Sequence, residues 1–97
     1  MKTLKQIKDI LAKNKNELVE KFNVKEIGIF GSYVKGSQKK KSDLDILVEF
    51  KSPVGLFEFM DLEEYLKEMI GIDIDLVSKR ALKPNIGRFI LDEVVYV

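Results

Sequence analysis

The sequence contains no cysteine, no histidine and no tryptophan. Without cysteine there can be no disulfide, thiolate nucleophile or zinc–thiolate site, and without histidine there is no imidazole base or metal ligand. No run approaches the roughly 18 to 20 apolar residues of a membrane span, and no signal-type apolar stretch follows the first residues. We therefore expect a cytoplasmic protein without membrane contact. Any catalysis must use carboxylates, hydroxyls, amines, backbone groups or a hard metal ion.

The composition is that of a folded protein. The chain has 97 residues, of which 45% are hydrophobic and 34% are charged. This length is typical of one domain with one core, and the apolar fraction is sufficient to build that core. We expect a single domain over residues 1–97.

Charge is divided unevenly along the chain. Residues 1–42 carry eleven lysines and four acids, a net charge of +7, whereas residues 43–75 carry a net charge of −8 and the remainder +2. The acidic segment is either a solvated helix face or a cation site flanked by groups that attract an anion such as a nucleotide. Only the positions of the acids can decide between these two interpretations.

Hydrophobic periodicity predicts an α/β domain. Thr3 and Gln6 have the spacing of a capping box, and Pro84 is typical of a first helical position. Apolar stripes predict that Leu56, Met60, Ile86 and Phe89 face the core, among other residues. The predicted elements are a helix over 4–22, a strand over 25–30, a helical turn over 32–35, a strand over 43–50, a helix over 56–70 closed by Gly71, a strand over 72–77, a helix from 84, and a short extended segment over 94–97.

Aromatic residues outside these stripes are assigned to packing. Tyr33 follows the turn after the first strand, and we interpret it as a packing residue. Phe57 and Tyr65 lie beside the main stripe of their helix, and we interpret them as core or interface residues.

Asp43 and Asp45 are the strongest chemical signal. Aspartate is depleted in strands, and two carboxylates on one strand face, about 6.6 Å apart, repel each other unless a cation lies between them. Magnesium prefers hard oxygen ligands and is commonly held by one or two carboxylates together with substrate phosphates. The pair therefore indicates a site for a divalent cation.

A third carboxylate from another strand would complete a two-metal site of the kind that promotes displacement at phosphorus. Asp75 is the better candidate and Asp73 is the rival. Strand alternation places both on the same face, so periodicity alone does not choose between them. Glu49 shares a face with Asp45 but lies about 13 Å further along the strand, so we interpret it as structural.

The segment Phe30–Phe50, FGSYVKGSQKKKSDLDILVEF, resembles the signature of the polymerase-β-like nucleotidyltransferases: Gly-Ser, ten residues, then Asp-x-Asp. Ser32 and Asp43 are separated by ten residues, which fits that signature without adjustment. The Ile74–Val77 strand and the Asp92–Val97 ending are similar to the minimal nucleotidyltransferases. The resemblance implies the polymerase-β-like fold, a small mixed sheet with flanking helices.

The resemblance also implies roles for individual residues. Asp43, Asp45 and Asp75 would bind Mg²⁺, as two ions, and Asp75 would accept the proton of the acceptor hydroxyl. Gly31 and Ser32 would hold the phosphates of ATP, the glycine by allowing close backbone approach and the serine through its donors. Asp73 departs from the family pattern, in which a basic residue is frequent.

The implied activity is magnesium-dependent transfer of AMP from ATP to a hydroxyl, with release of pyrophosphate. The resemblance suggests that the acceptor is a tyrosine of a separately encoded helical HEPN-type toxin, so that this chain acts as an antitoxin. The alternative is an antitoxin that neutralises its partner by binding alone. Homo-oligomerisation stays open. Direct nucleic-acid binding is disfavoured, because the N-terminal lysines are spread around a helix without interleaved aromatic residues.

Overall fold

The computed structural model describes residues 2–97, and its element order confirms the predicted one. None of the helices in this range is long and apolar enough to cross a membrane. The elements are α1 (Leu4–Lys13), α2 (Lys15–Lys21), β1 (Val24–Phe30), α3 (Ser32–Lys35), β2 (Leu44–Phe50), α4 (Leu56–Ile70), β3 (Ile74–Ser78), a 3-10 turn (Lys79–Ala81), α5 (Pro84–Glu93) and β4 (Val95–Tyr96).

The four strands form one mixed sheet in the order β3-β2-β1-β4. β1 is antiparallel to both β2 and β4, whereas β2 and β3 are parallel. Parallel neighbours need a long crossover connection, and α4 supplies it between β2 and β3. The expected fold class, a small mixed sheet with flanking helices, is confirmed.

The hydrophobic core lies between one face of the sheet and the helices α1, α2 and α4. The strands β2 and β3 contribute alternate residues to this face, because successive side chains of a strand point to opposite sides. The fully buried members of the core cluster include Ile7, Leu11, Leu18, Ile27, Ile29, Leu44, Ile46, Val48, Leu62 and Leu66. Tyr33 is also buried in this cluster, which confirms its predicted packing role.

The N-terminal helix differs from the prediction in one respect. The capping box is confirmed, since the Thr3 hydroxyl accepts the Gln6 N–H at 3.2 Å and the Gln6 side chain accepts the Thr3 N–H at 2.9 Å. The single helix over 4–22 is wrong, because the helix is interrupted at Asn14. There the Asn14 side-chain amide donates to the Ile10 carbonyl at 2.8 Å, and such local bonds compete with helix continuation.

Two predicted apolar stripes extend beyond the core. Leu56 and Met60, in the first turns of α4, are 69% and 52% exposed, so the expectation that they face the core is wrong. The same correction applies to Ile86 and Phe89 of α5, and Phe57 at 80% exposure is not a core residue either. Periodicity identifies one side of a helix, but not how far the neighbouring sheet extends beneath it.

Helix α4 offers a matched test of this packing. Leu62 is fully buried and Leu56 is exposed, so the same substitution is made twice on one helix. Leu62→Ala should lower the free energy of unfolding by about 2–5 kcal/mol through lost burial and a residual cavity. Leu56→Ala should change it by less than about 0.5 kcal/mol. Urea denaturation followed by circular dichroism measures both, and equal effects would contradict the described position of α4.

Candidate active site

Asp45 and Asp75 lie side by side on neighbouring strands. They are register partners in the parallel β2–β3 pair, so their side chains project from the same face of the sheet. The register is held at its start by the Leu44 N–H, which donates to the Asp73 carbonyl at 2.8 Å. On the other side of β2, Asp45 is paired with Phe30, the last residue of β1. The structure thus brings two of the predicted carboxylates together next to the Gly31-Ser32 turn.

This arrangement changes the acidity of Asp45. Partial burial raises its pKa, and the charge of Asp75 and a hydrogen bond with Asp75 raise it further, with smaller contributions from Asp43 and Glu93. The resulting pKa is about 6, compared with an ordinary value of 3.8. The site therefore retains a proton at a pH at which isolated aspartates are fully ionised.

Gly31 makes the close approach to Asp45 possible. Its backbone has φ +78° and ψ −149°, in a region that favours glycine, and a Cβ at this position would collide with Asp45 Oδ2. Its carbonyl accepts the N–H groups of Val34 and Lys35, both at 3.1 Å, which starts the short helix α3 at Ser32. The predicted Gly-Ser turn is thus packed directly against the predicted acidic pair.

Asp43 lies at the edge of this group. It is exposed and precedes β2, which begins at Leu44 and not at Asp43 as predicted. Its charge contributes to the raised pKa of Asp45, so the two carboxylates do influence each other. Within residues 2–97, however, no three acidic side chains converge closely enough to hold one metal ion as they stand. The three-carboxylate metal site stays a prediction.

Asp73 is separated from the acidic pair. The strand predicted over 72–77 begins only at Ile74, so strand alternation does not apply to Asp73. Its carboxylate lies 3.3 Å from the Lys67 ammonium group and lines a groove of about 1420 Å³ beside α1 and α4. Glu49 is paired with Lys79 at 3.7 Å, in keeping with its structural interpretation.

Glu93, the last residue of α5, was not predicted from the sequence as part of the site. One carboxylate oxygen accepts the Gly31 N–H at 2.7 Å, and the other lies 3.4 Å from the Lys35 ammonium group. A signal was available, because acids at a helix C-terminus oppose the helix dipole and usually have a local reason. Asp92-Glu93 at the end of the last predicted helix is such an anomaly.

The chemistry of the donors fits a divalent cation. Asp45 and Asp75 present hard oxygen ligands from two strands that are held in fixed register, and the exposed Asp43 lies just before the same strand as Asp45. Burial raises the pKa of Asp45, and the charges of Asp75, Asp43 and Glu93 raise it further, so an ionised Asp45 would gain from a compensating positive charge. A bound cation would supply that compensation.

Comparison with known proteins gives a consistent result. A model of the nucleotidyltransferase domain family matches residues 11–97. The protein adenylyltransferase MntA of Thermococcus cleftensis is 52% identical over 97 residues, with 100% of this chain and 98% of that protein covered. A protein of Methanocaldococcus jannaschii, which bears the name protein adenylyltransferase as a proposed activity, is 50% identical over the whole of both chains.

Solved structures show the same fold. A protein described as a candidate minimal nucleotidyltransferase superposes with a TM-score of 0.75 at 27% identity, over 92% of this chain and 93% of that one. A toxin–antitoxin structure with AMP-PNP superposes with a TM-score of 0.72 at 23% identity, over 87% of this chain and 69% of that one. At 23% identity, the superposition on the toxin–antitoxin structure shows a shared fold and nothing more.

The acidic pair should carry a pH-dependent cost in stability. Because folding raises the Asp45 pKa from 3.8 to about 6, the folded protein binds this proton more tightly than the unfolded chain. Stability from this residue is thus present at low pH and is lost as pH rises through about 4 to 6. Asp45→Asn, which cannot ionise, should melt a few degrees above the wild type at pH 8 in EDTA, and this advantage should shrink toward pH 4.

Melting curves from pH 4 to 8 measure this difference. The control is Asp61→Asn, which changes an exposed aspartate of α4 outside the site. An Asp45→Asn variant that is no more stable than the wild type at pH 8 would show that the carboxylates are not in electrostatic conflict.

Proposed function

The chain belongs to the nucleotidyltransferase domain family, and we propose that it transfers AMP from ATP to a hydroxyl group of a partner protein. The observation that carries this proposal is the placement of Asp45 beside Asp75 and against the Gly31-Ser32 turn. A phosphate-binding turn next to paired carboxylates is the arrangement that phosphoryl-group chemistry requires.

The Gly31-Ser32 turn is the proposed site for the ATP phosphates. Gly31 has no side chain to obstruct the approach of an anion, and its conformation directs the chain sharply from β1 into α3. Within residues 2–97, no side chain accepts the N–H of Ser32. This N–H and the Ser32 hydroxyl are the proposed donors to phosphate oxygens.

Asp43, Asp45 and Asp75 are the proposed ligands for Mg²⁺, with two ions expected. When bound, the metal neutralises the charge that develops on the attacking and leaving oxygens at the α-phosphorus. Asp43 and Asp45 come from the head of one strand, and Asp75 reaches the same face from the next. Asp43 and Asp75 are both exposed, so their side chains are accessible to a metal ion from solvent.

Asp75 is the proposed proton acceptor. The acceptor hydroxyl attacks the α-phosphorus of ATP, a new oxygen–phosphorus bond forms, and the bond from the α-phosphorus to the bridging oxygen of pyrophosphate breaks. The hydroxyl proton passes to the Asp75 carboxylate, which is exposed and accessible to a second protein. The products are adenylylated acceptor and pyrophosphate.

The acceptor is proposed to be a tyrosine of a helical HEPN-type toxin, which makes this chain an antitoxin. The name of the Thermococcus relative supports a protein acceptor. The superposition on toxin–antitoxin structures, one of them with an AMPylated HEPN toxin and an MNT antitoxin, supports the type of partner. The second candidate function is neutralisation by binding alone. Acids at all three predicted positions favour the catalytic function.

A labelling experiment tests this proposal. Purified chain and a HEPN-type protein encoded beside it are incubated with Mg²⁺ and ATP that is labelled at either the α- or the γ-phosphate. We expect the partner to acquire label from α-labelled ATP only, because AMP is transferred and pyrophosphate leaves. Asp43→Asn and Asp45→Asn should each reduce labelling about a hundredfold or more through loss of a metal ligand.

Two outcomes would contradict AMP transfer. Label from γ-labelled ATP would indicate phosphorylation. Toxin neutralised equally well by wild type and by Asp45→Asn, with no label in either case, would establish the binding-only function. Replacement of the partner tyrosine by phenylalanine tests the acceptor separately.

Substitutions of Asp75 and of Asp73 should have sharply different effects on the transfer rate. Asp75 is the register partner of Asp45, whereas Asp73 is paired with Lys67 outside the acidic pair. Asp75→Asn should lower the transfer rate at saturating ATP about a hundredfold or more, as expected for loss of a general base and metal ligand. Asp73→Asn should change it less than about threefold, since exposed ion pairs contribute little. Single-turnover kinetics measure both rates. A larger loss of rate in Asp73→Asn than in Asp75→Asn would overturn the assignment of Asp75 as the proton acceptor.

A further inference from the structure

Glu93 occupies a defined position between the phosphate-binding turn and the C-terminal strand. Its side chain is only 27% exposed, one carboxylate oxygen accepts the Gly31 N–H at 2.7 Å, and the other lies 3.4 Å from Lys35. The Lys35 side chain is 64% exposed. Exposed ion pairs contribute little, so the partly buried bond to Gly31 is the stronger reason for this placement.

The backbone around Glu93 is fixed by the sheet. Two residues further on, β4 begins and pairs with β1 through Gly28–Tyr96 and Ile29–Val95, and the Val97 N–H donates to the Ile27 carbonyl at 2.9 Å. Glu93 is therefore tied to the same strand that ends at the Gly31-Ser32 turn. The backbone that carries this carboxylate is held by helix α5 before Glu93 and by the β4–β1 pairing after it.

Gly31 is held between two carboxylates. Its α-carbon faces Asp45, where no Cβ fits, and its N–H points to Glu93. This places a further negative charge close to Asp45 and at a helix C-terminus, where anions are disfavoured. A carboxylate in so unfavourable a location needs compensating contacts, and the Gly31 N–H supplies one of them beside the exposed Lys35 ammonium group.

We propose that Glu93 is a positioning residue for nucleotide binding: it accepts the Gly31 N–H and so holds the turn against Asp45, which leaves the Ser32 N–H for phosphate. This inference rests on the proposed role of the Gly31-Ser32 turn in binding ATP. A neutral side chain of the same length is sufficient to accept the Gly31 N–H. Glu93→Gln therefore keeps this hydrogen bond, and Glu93→Ala removes it.

Amide hydrogen exchange tests the contact without any nucleotide. In ¹⁵N-labelled protein, Gly31 should be protected in the wild type and in Glu93→Gln, and its exchange should accelerate about tenfold or more in Glu93→Ala, as expected for loss of a hydrogen bond to a charged group. Asp92→Ala, which changes the exposed neighbour on α5, should leave Gly31 exchange unchanged. Equal Gly31 exchange in wild type and Glu93→Ala would overturn the proposal.

Calorimetric titration with Mg²⁺ and a non-hydrolysable ATP analogue tests the consequence for binding, well below the melting temperature of each variant. Glu93→Ala should bind about tenfold more weakly than the wild type, the size of one charge-assisted hydrogen bond. Glu93→Gln should bind within about threefold of the wild type, because it keeps a neutral hydrogen bond to Gly31 and loses only the charge assistance and the exposed Lys35 pair. Asp92→Ala should bind like the wild type.

The outcomes separate this inference from the proposed function. No binding by the wild type would overturn the proposed nucleotide site and the inference with it. Wild-type binding with unchanged affinity in Glu93→Ala, even at a lower melting temperature, would overturn the inference alone and assign Glu93 to stability. Tighter binding by Glu93→Ala would also overturn it, because the carboxylate would then be blocking the phosphate position.

Discussion

The parallel register between β2 and β3 sets Asp45 beside Asp75, and the rest of the site is arranged around this contact. The register is determined by the core, because Leu44 and Ile46 on β2 are fully buried against the helices. Alternation then requires Asp45, between them, to project from the opposite face. A shift by one residue would bury the carboxylate and expose the two apolar side chains, so the hydrophobic core holds the acidic pair in place.

The close approach of Asp45 and Asp75 lowers the stability of the folded protein when both carboxylates are ionised. Burial and the neighbouring acids raise the Asp45 pKa, which means that ionising the site opposes folding. Gly31 allows the turn to lie directly against Asp45, because a Cβ at this position would collide with the Asp45 carboxylate. Local features that weaken a fold are expected where function requires them. The combination of repelling carboxylates and a glycine turn is therefore evidence for a site as well as a structural cost.

The C-terminal segment connects this site to the rest of the sheet. Helix α5 ends at Glu93, which contacts the Gly31 N–H, and β4 follows at once along β1. The contact links residues that are 62 positions apart in sequence. The last helix therefore contacts the Gly31-Ser32 turn, while Ile86 and Phe89 on the same helix are exposed and do not pack in the core.

The sequence by itself predicted the element order and an α/β domain, because periodicity and glycine turns are local properties of the chain. The small mixed sheet and the proposed roles of Gly31, Ser32, Asp43, Asp45 and Asp75 came from the resemblance to the nucleotidyltransferases. Periodicity did not show where α4 and α5 extend beyond the sheet. Leu56 and Phe89 lie in those parts of the helices and are exposed, although they were expected to face the core.

Only the tertiary structure showed that Asp75 and Asp73 have different surroundings and that Glu93 contacts Gly31. Alternation gave Asp73 and Asp75 the same face, but pairing with β2 starts the strand at Ile74 and leaves Asp73 with Lys67. Glu93 reaches Gly31 because β4 returns along β1. Strand ends and contacts between distant segments depend on which chains pair in space, and local periodicity contains no information about that pairing.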